Sequence, residues 1–366
     1  MSVFVVADNI FSPLGNSTAE NFQQLLAGNS GIRLHYKNNI HSQPFYASLF
    51  DNLALTDGFT RFEQMLVNAI DGALSNTNLD VANPSTGFII STTKGNISLL
   101  EEDMQEDKKL PLHLSAKKIA THYGSSNVPV VVSNACISGL SALITAKRMI
   151  EAGIYKNVIV AGADAISSFV FSGFNAFQAI SPNPCRPYDA NRTGVTLGEA
   201  AACIILSDTG NKDSVRLTGG AGSNDANHIS GPSRTGVELS MAIKKALAMA
   251  GIEANDVDYI SAHGTATPYN DEMEAKAINL SQLQEKPVNS LKGYYGHTLG
   301  AAGIIESIIA IHSLKTGTIL PTLGYESPGV SQPINVADKL IRQNIKHCLK
   351  TASGFGGCNA AVIFSR

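Results

Sequence analysis

A chain of 366 residues, 44% hydrophobic and 16% charged, can bury a large core as two domains or one large duplicated one, and this composition excludes a disordered protein. A net charge of −3 with no dense Lys/Arg block excludes a dedicated nucleic-acid binder and leaves small molecules or protein partners. The five cysteines (Cys136, Cys185, Cys203, Cys348 and Cys358) are odd in number and include no C-x-x-C pair, which disfavours a disulfide framework and a zinc ribbon.

In chain order, residues 2–7 read as a first strand, because the N-terminal run lacks a basic start and meets Asp8 early, unlike a signal peptide. No run approaches the ~18 apolar residues of a membrane span, so a cytoplasmic protein without membrane insertion is expected. Strand-like runs follow at 87–91, 128–133, 157–161, 202–206, 257–261 and 360–364, alternating with helix-like ones at 61–75, 137–152, 235–250 and 300–314. Such alternation predicts an α/β protein with sheets buried between helices. The polar stretch 207–213 has turn composition and divides the chain into an N-terminal half, 1–210, and a C-terminal half, 211–366.

An internal echo accompanies this division. Gly198–Ser207 and Gly356–Ser365 share a pattern, and each closes a half. Cys136 stands three residues before Gly139, and His297 three before Gly300, each opening a helix rich in small residues. Two such helices packed about a pseudo-twofold axis would bring residue 136 near residue 297.

The chemistry gathers at those points. Cys136 lies on the turn between an apolar β-branched run and a small-residue helix, where free N–H groups and the helix dipole favour a thiolate. Val257–Ser261 delivers His263 onto the Gly/Pro-broken loop Ala262–Pro268, at a strand end where α/β proteins place ligand-facing residues. Asn289–Gly303 brings Lys292 and His297 to another helix start. His35, His41, His113, His122, His312 and His347 lack such a context and read as surface or core residues.

With these motifs on the page, the chain resembles the β-ketoacyl-acyl-carrier-protein synthases of the elongating Cys-His-His type, within the thiolase-like superfamily. The resemblance rests on Ala135-Cys136 with Ser138-Gly139, Ala262-His263-Gly264-Thr265 with Thr267-Pro268, Lys292 with Gly296-His297 and Gly300–Gly303, and Gly354-Phe355-Gly356-Gly357. Arg186–Asp189 and Gly198-Glu199 add to it, and it covers nearly the whole chain. The histidine at 297 sets the chain apart from chain-initiating members, which carry asparagine there. The resemblance implies a thiolase-like duplicated fold, five-layered α-β-α-β-α with two mixed sheets and buried helices.

It also implies an activity. Cys136 would accept an acyl group from a carrier-protein thioester; a malonyl-carrier protein would then lose carbon dioxide and attack it, giving a 3-oxoacyl thioester two carbons longer. Substrates would ride on the phosphopantetheine of acyl carrier protein, with no separate cofactor and no metal, and the enzyme would be a homodimer.

Physical chemistry distributes the roles. Thiolate attack creates an oxyanion suited to the N–H groups of Cys136 and Phe355. Decarboxylation develops an enolate suited to Nε–H donors of His263 and His297. Lys292 would keep those imidazoles neutral, with Glu306 as its partner, and Phe355 between glycines would gate the nucleophile. Thr265 and Thr267 would, by resemblance, offer hydroxyls to the pantetheine arm, and Glu306 is grouped with them around the substrate.

Ile137, Asn134 and Cys358 depart from the family pattern around the acyl pocket, and the chain is shorter than typical members. Housekeeping elongation and a specialised pathway, such as aryl polyene or polyketide-like synthesis, are both open, with short length and Ile137 leaning toward the second. A non-catalytic chain-length partner of a ketosynthase heterodimer is the alternative from another class, disfavoured because Cys136 and both histidines are present. Arg61, Lys117, Lys118 and Arg186 are candidates for a basic patch that docks an acidic carrier.

Overall fold

Residues 2–102, 109–229 and 231–366 are described by the structure, a computed structural model. Ten strands form one sheet, ordered Val288–Asn289, Tyr259–Ser261, His347–Gly354, Cys358–Ser365, Arg216–Asn224, Phe4–Phe11, Ala200–Ser207, Asn157–Asp164, Thr86–Ser91 and Val130–Val132. The first five strands come from beyond residue 211 and the last five from before it. Within each five, counted along the chain, the order from the outer edge inward is third, second, fourth, fifth, first. The third, second and fourth strands run parallel, and the fifth and first are antiparallel to their neighbours. The two mixed five-stranded sheets meet edge to edge through the register pair Phe4–Arg216, backed by hydrogen bonds from Val5 N–H to Val215 O (2.8 Å) and from Leu217 N–H to Val3 O (2.9 Å).

Two helices fill the space between the sheets. Ser138–Glu151 and Ala302–Thr316 pack on each other and on strands of both halves, while Arg61–Leu74 covers one sheet and Val237–Ala250 the other. The layers are therefore helix, sheet, helices, sheet, helix. Leu299–Thr316 matches a membrane span in length and composition, yet 83% of that stretch is buried inside the protein. Its all-round apolar character is that of a core helix. The central crossing needs glycine at 139, since a Cβ there would lie 2.8 Å from the Ile304 nitrogen and 3.1 Å from the Gly300 oxygen.

Two long strands have no counterpart in the sequence reading. Arg216–Asn224 and His347–Gly354 lack a β-branched run, and each is a full ladder partner of Cys358–Ser365. Gly219 is required by packing rather than by propensity: a Cβ there would lie 2.1 Å from the Ala246 carbonyl oxygen of the covering helix. The helices Thr18–Leu26, Leu112–His122, Ser168–Ala176 and Pro268–Leu280 were likewise hidden, the last because Asp271 and Glu274 interrupt its buried face.

Candidate active site

The chain reverses sharply after Val130–Val132, with Ala135 at φ 44°, a conformation costly for any residue with a side chain. Ser138 closes this elbow: its hydroxyl accepts from Asn134 N–H at 2.8 Å and donates to the Ala135 carbonyl at 2.6 Å. Cys136 sits on the elbow, one residue before the helix cap Ile137.

The expectation of a resting thiolate is corrected here. Burial pushes the Cys136 thiol up to about 12, helped by Cys358 and opposed by Lys292 and by the Phe355 amide that donates to the sulfur. The helix dipole acts locally, whereas the desolvation that overrides it comes from the whole fold.

His263 follows the strand Tyr259–Ser261 and is fixed by Glu274 of the helix Pro268–Leu280. The Glu274 carboxylate accepts the amides of His263 at 2.7 Å and Gly264 at 2.8 Å, the Tyr188 hydroxyl at 2.6 Å and the Thr351 hydroxyl at 2.6 Å. His297 comes from the same half but is stitched to the other, its amide donating to Thr196 O at 2.7 Å and its carbonyl accepting from Gly198 N–H at 3.1 Å. Asp164 strengthens that seam by accepting Gly300 N–H at 2.7 Å together with the hydroxyls of Thr92 and Thr93.

The result is a tight constellation. His297 Nε2 lies 3.0 Å from Cys136 Sγ, and the His263 and His297 rings are 5.3 Å apart at 84°. The Lys292 ammonium uses its three N–H groups on Glu306 Oε1 at 2.8 Å, the His263 carbonyl at 2.6 Å and His263 Nδ1 at 3.3 Å. A lysine donating to Nδ1 leaves the proton of neutral His263 on Nε2. His297 Nδ1 has no hydrogen-bond partner among the described residues, so its tautomer is not locked. Burial, then Lys292 and Lys350, hold both imidazoles well below the usual histidine range, and His297 adds to this effect at His263. The two shifts, the thiol upward and the imidazole downward, both favour the uncharged forms.

Cys136, His263, His297, Thr265, Thr267 and Phe355 line one cavity of about 270 Å³. The hydroxyls of Thr265 and Thr267 face each other at 2.8 Å. Phe355 is clasped between Phe174 at 5.4 Å and Phe177 at 5.3 Å, and the glycines after it hold φ of 85° and 77°. Lys292 and Glu306, the latter grouped with the substrate contacts in the sequence, are not among the lining residues, and Glu306 instead pairs with Lys292 at 2.8 Å. Ile137 is buried in the core beside the central helices.

The sequence reading missed three buried charges here: Glu274, Asp164 and Lys350. The one available signal was Lys350 directly after the apolar pair Cys348-Leu349.

The basic candidates fare differently from the reading of them as a docking patch. Arg61 makes a two-pronged ion pair with the buried Glu199, at 3.0 and 2.6 Å, Lys118 pairs with Glu63, and Arg186 with Glu326 and Asp189; Lys117 is exposed. Reversing Arg61 to glutamate leaves Glu199 facing a like charge. It is expected to lower stability by about 1–3 kcal/mol, discounted for the partly exposed guanidinium. An unchanged melting temperature for Arg61→Glu would return this residue to the surface pool.

The family models for the N-terminal and C-terminal domains of β-ketoacyl synthase match residues 1–211 and 215–326. The chain is 29% identical over 410 aligned positions to the 3-oxoacyl-[acyl-carrier-protein] synthase 2 of Vibrio cholerae, covering 100% of this chain and 99% of that one. It is 33% identical over 268 residues to a Streptomyces cyaneus protein named "Putative polyketide beta-ketoacyl synthase 1", covering 68% of this chain and 63% of the other. In fold it superimposes with a TM-score of 0.92, at 24% identity and over 100% of this chain and 98% of that one, on a chain of the Xenorhabdus doucetiae complex between the ketosynthase ApeO and its chain length factor ApeC. Two domain models in the right order, together over most of its length, show that the chain belongs to the β-ketoacyl synthases, condensing acyltransferases of thiolase-like fold.

Proposed function

We propose that the cavity carries out a two-stage decarboxylative condensation, with the 3.0 Å approach of Cys136 Sγ to His297 Nε2 as the observation that carries the reading. In the first stage Sγ bonds to the carbonyl carbon of a carrier-bound acyl thioester while its proton passes to His297. The amides of Cys136 and Phe355 hold the oxyanion. The carbon–sulfur bond to pantetheine breaks, and that thiolate takes the proton from His297. In the second stage a malonyl thioester loses carbon dioxide, and the electron pair forms an enolate whose oxygen is met by Nε–H donors of His263 and His297. The enolate carbon attacks the acyl-cysteine, the carbon–sulfur bond breaks, and Cys136 leaves as a thiolate that takes up a proton from solvent. An unlocked His297 suits both stages, accepting from the thiol in one and donating to oxygen in the other.

Thr265 and Thr267 guide the pantetheine arm past Phe355, and Lys292 with Glu306 keeps the histidines neutral. The half up to residue 210 supplies the nucleophile and the half from 211 both histidines, a division supported by the repeated strand order. The partner in turnover is acyl carrier protein, and the expected assembly is a homodimer; pairing with a chain-length factor, as in the Xenorhabdus complex, is the second reading. A cytoplasmic setting suits five cysteines that are all free and buried.

The test is intact-protein mass after incubation with acyl-carrier proteins of several chain types, followed by a malonyl-carrier chase and product analysis. An acyl adduct converted to a 3-oxo product is expected, and the accepted chain types separate housekeeping from specialised synthesis. No adduct from any chain on folded protein would assign the activity to a complex with a partner subunit.

A further inference from the structure

Lys350 lies beneath the histidines, in the strand His347–Gly354, with its side chain fully buried. Its ammonium is held by four oxygens: Glu306 Oε2 at 2.7 Å, the carbonyls of Ser261 and Ala262 at 3.2 Å each, and that of Thr351 at 2.6 Å. Ser261 and Ala262 are the two residues that deliver His263. Thr351 donates to Glu274, which holds the His263 amide. Glu306 thus binds one ammonium per oxygen, Lys292 on one side and Lys350 on the other.

One carboxylate cannot neutralise two ammonium groups. The titratable groups facing Lys350 are Glu306 on the central helix, Lys292, Glu274 on the helix Pro268–Leu280, Cys348 and the two histidines. A positive field therefore remains around the imidazoles, and both lysines help keep Glu306 ionised despite its burial.

We propose that Lys350 is a positioning residue for the condensation: its ammonium clamps the backbone ahead of His263 and shares Glu306 with Lys292, so that both imidazoles enter each stage uncharged. This rests on Cys136, His263 and His297 being the reacting centre. An imidazolium at His297 has no lone pair for the thiol proton, so a histidine charged at working pH stops the first stage. Removing one of two nearby positive charges raises both histidine pKa values and moves the acid limb of the rate profile upward.

The experiment compares wild type, Lys350→Gln, which keeps a donor without the charge, and Lys350→Ala, which leaves room for a small ammonium ion. For Lys350→Gln, kcat is expected to fall by roughly 10- to 100-fold, part of what a positioned acid–base group contributes, with KM for malonyl-carrier protein little changed. The acid limb of its kcat profile is expected to move up by about half a pH unit or more, the scale of one nearby charge. Methylammonium should restore Lys350→Ala several-fold, and tetramethylammonium at equal ionic strength should not.

Folded variants with an unmoved acid limb and no rescue would reduce Lys350 to a packing residue. Should neither variant fold, imidazole nitrogen NMR of the wild type decides: both rings neutral at pH 6 is expected, and an imidazolium at either overturns the proposal. A wild type that makes no 3-oxo product would instead count against the reacting centre itself.

Discussion

Cys136→Ala is expected to remove the acyl adduct completely and to lower condensation by at least about 10⁴-fold, the scale of losing a covalent nucleophile. Carbon dioxide release from malonyl-carrier protein should persist in that variant, because the groups proposed to meet the enolate oxygen are His263 and His297. Intact mass and a carbon dioxide assay on the same sample separate the two stages. Loss of both activities would mean that the cysteine also shapes the decarboxylation site. The loss of stability should be small, about 1 kcal/mol, since one buried sulfur is removed. In the wild type, burial keeps the thiol protonated at neutral pH. Alkylation of Cys136 by iodoacetamide, followed by peptide mapping, is therefore expected to climb with pH through about 9, as for a thiol that is still mostly protonated there. A plateau near pH 7 would instead reveal a thiolate–imidazolium pair at rest.

Glu274→Leu is expected to be among the most destabilising single changes in the protein. The carboxylate satisfies two backbone amides and two hydroxyls in a fully buried site. Leucine fills similar volume and accepts nothing. Stranded buried donors cost about 1–3 kcal/mol each; the hydroxyls can turn toward other acceptors, but the amides of His263 and Gly264 cannot. A loss on the order of 2–6 kcal/mol follows, a large share of a stability of about 5–15 kcal/mol. Glu274→Gln, with one acceptor oxygen kept, should fall between. Denaturant unfolding of both variants measures this, and a midpoint for Glu274→Leu equal to wild type would show that the His263 loop holds itself.

The groups proposed to react were legible because each sits where local sequence is unusual: Cys136 at a strand-to-helix turn, His263 in a Gly/Pro-broken loop, His297 ahead of a glycine-rich helix start. Their meeting was legible too, through the paired small-residue helices that cross at Gly139. What stayed hidden depends on partners far along the chain. Glu274 and Asp271 are fully buried, and their carboxylates are held by groups outside their own helix, among them Tyr188, His263 and Thr351. Arg61 and Lys118 read as free surface charges for the same reason: their carboxylates, Glu199 and Glu63, stand 138 and 55 residues away. The glycine-rich strand Arg216–Asn224 is a strand only because the ladder on either side supplies its hydrogen bonds.

Arg216 is also a meeting point for the two ends of the fold. Phe4 pairs with it from one side and Ser365 from the other, which puts those residues about 10 Å apart, twice the spacing between neighbouring strands. A linker of a few residues would span that gap. A circular permutant opened in the polar turn near residue 211 would then read the histidine half first and the cysteine half second. Nothing in the catalytic geometry depends on which is translated first, so an active permutant would show that the order of the two halves along the chain is a historical accident.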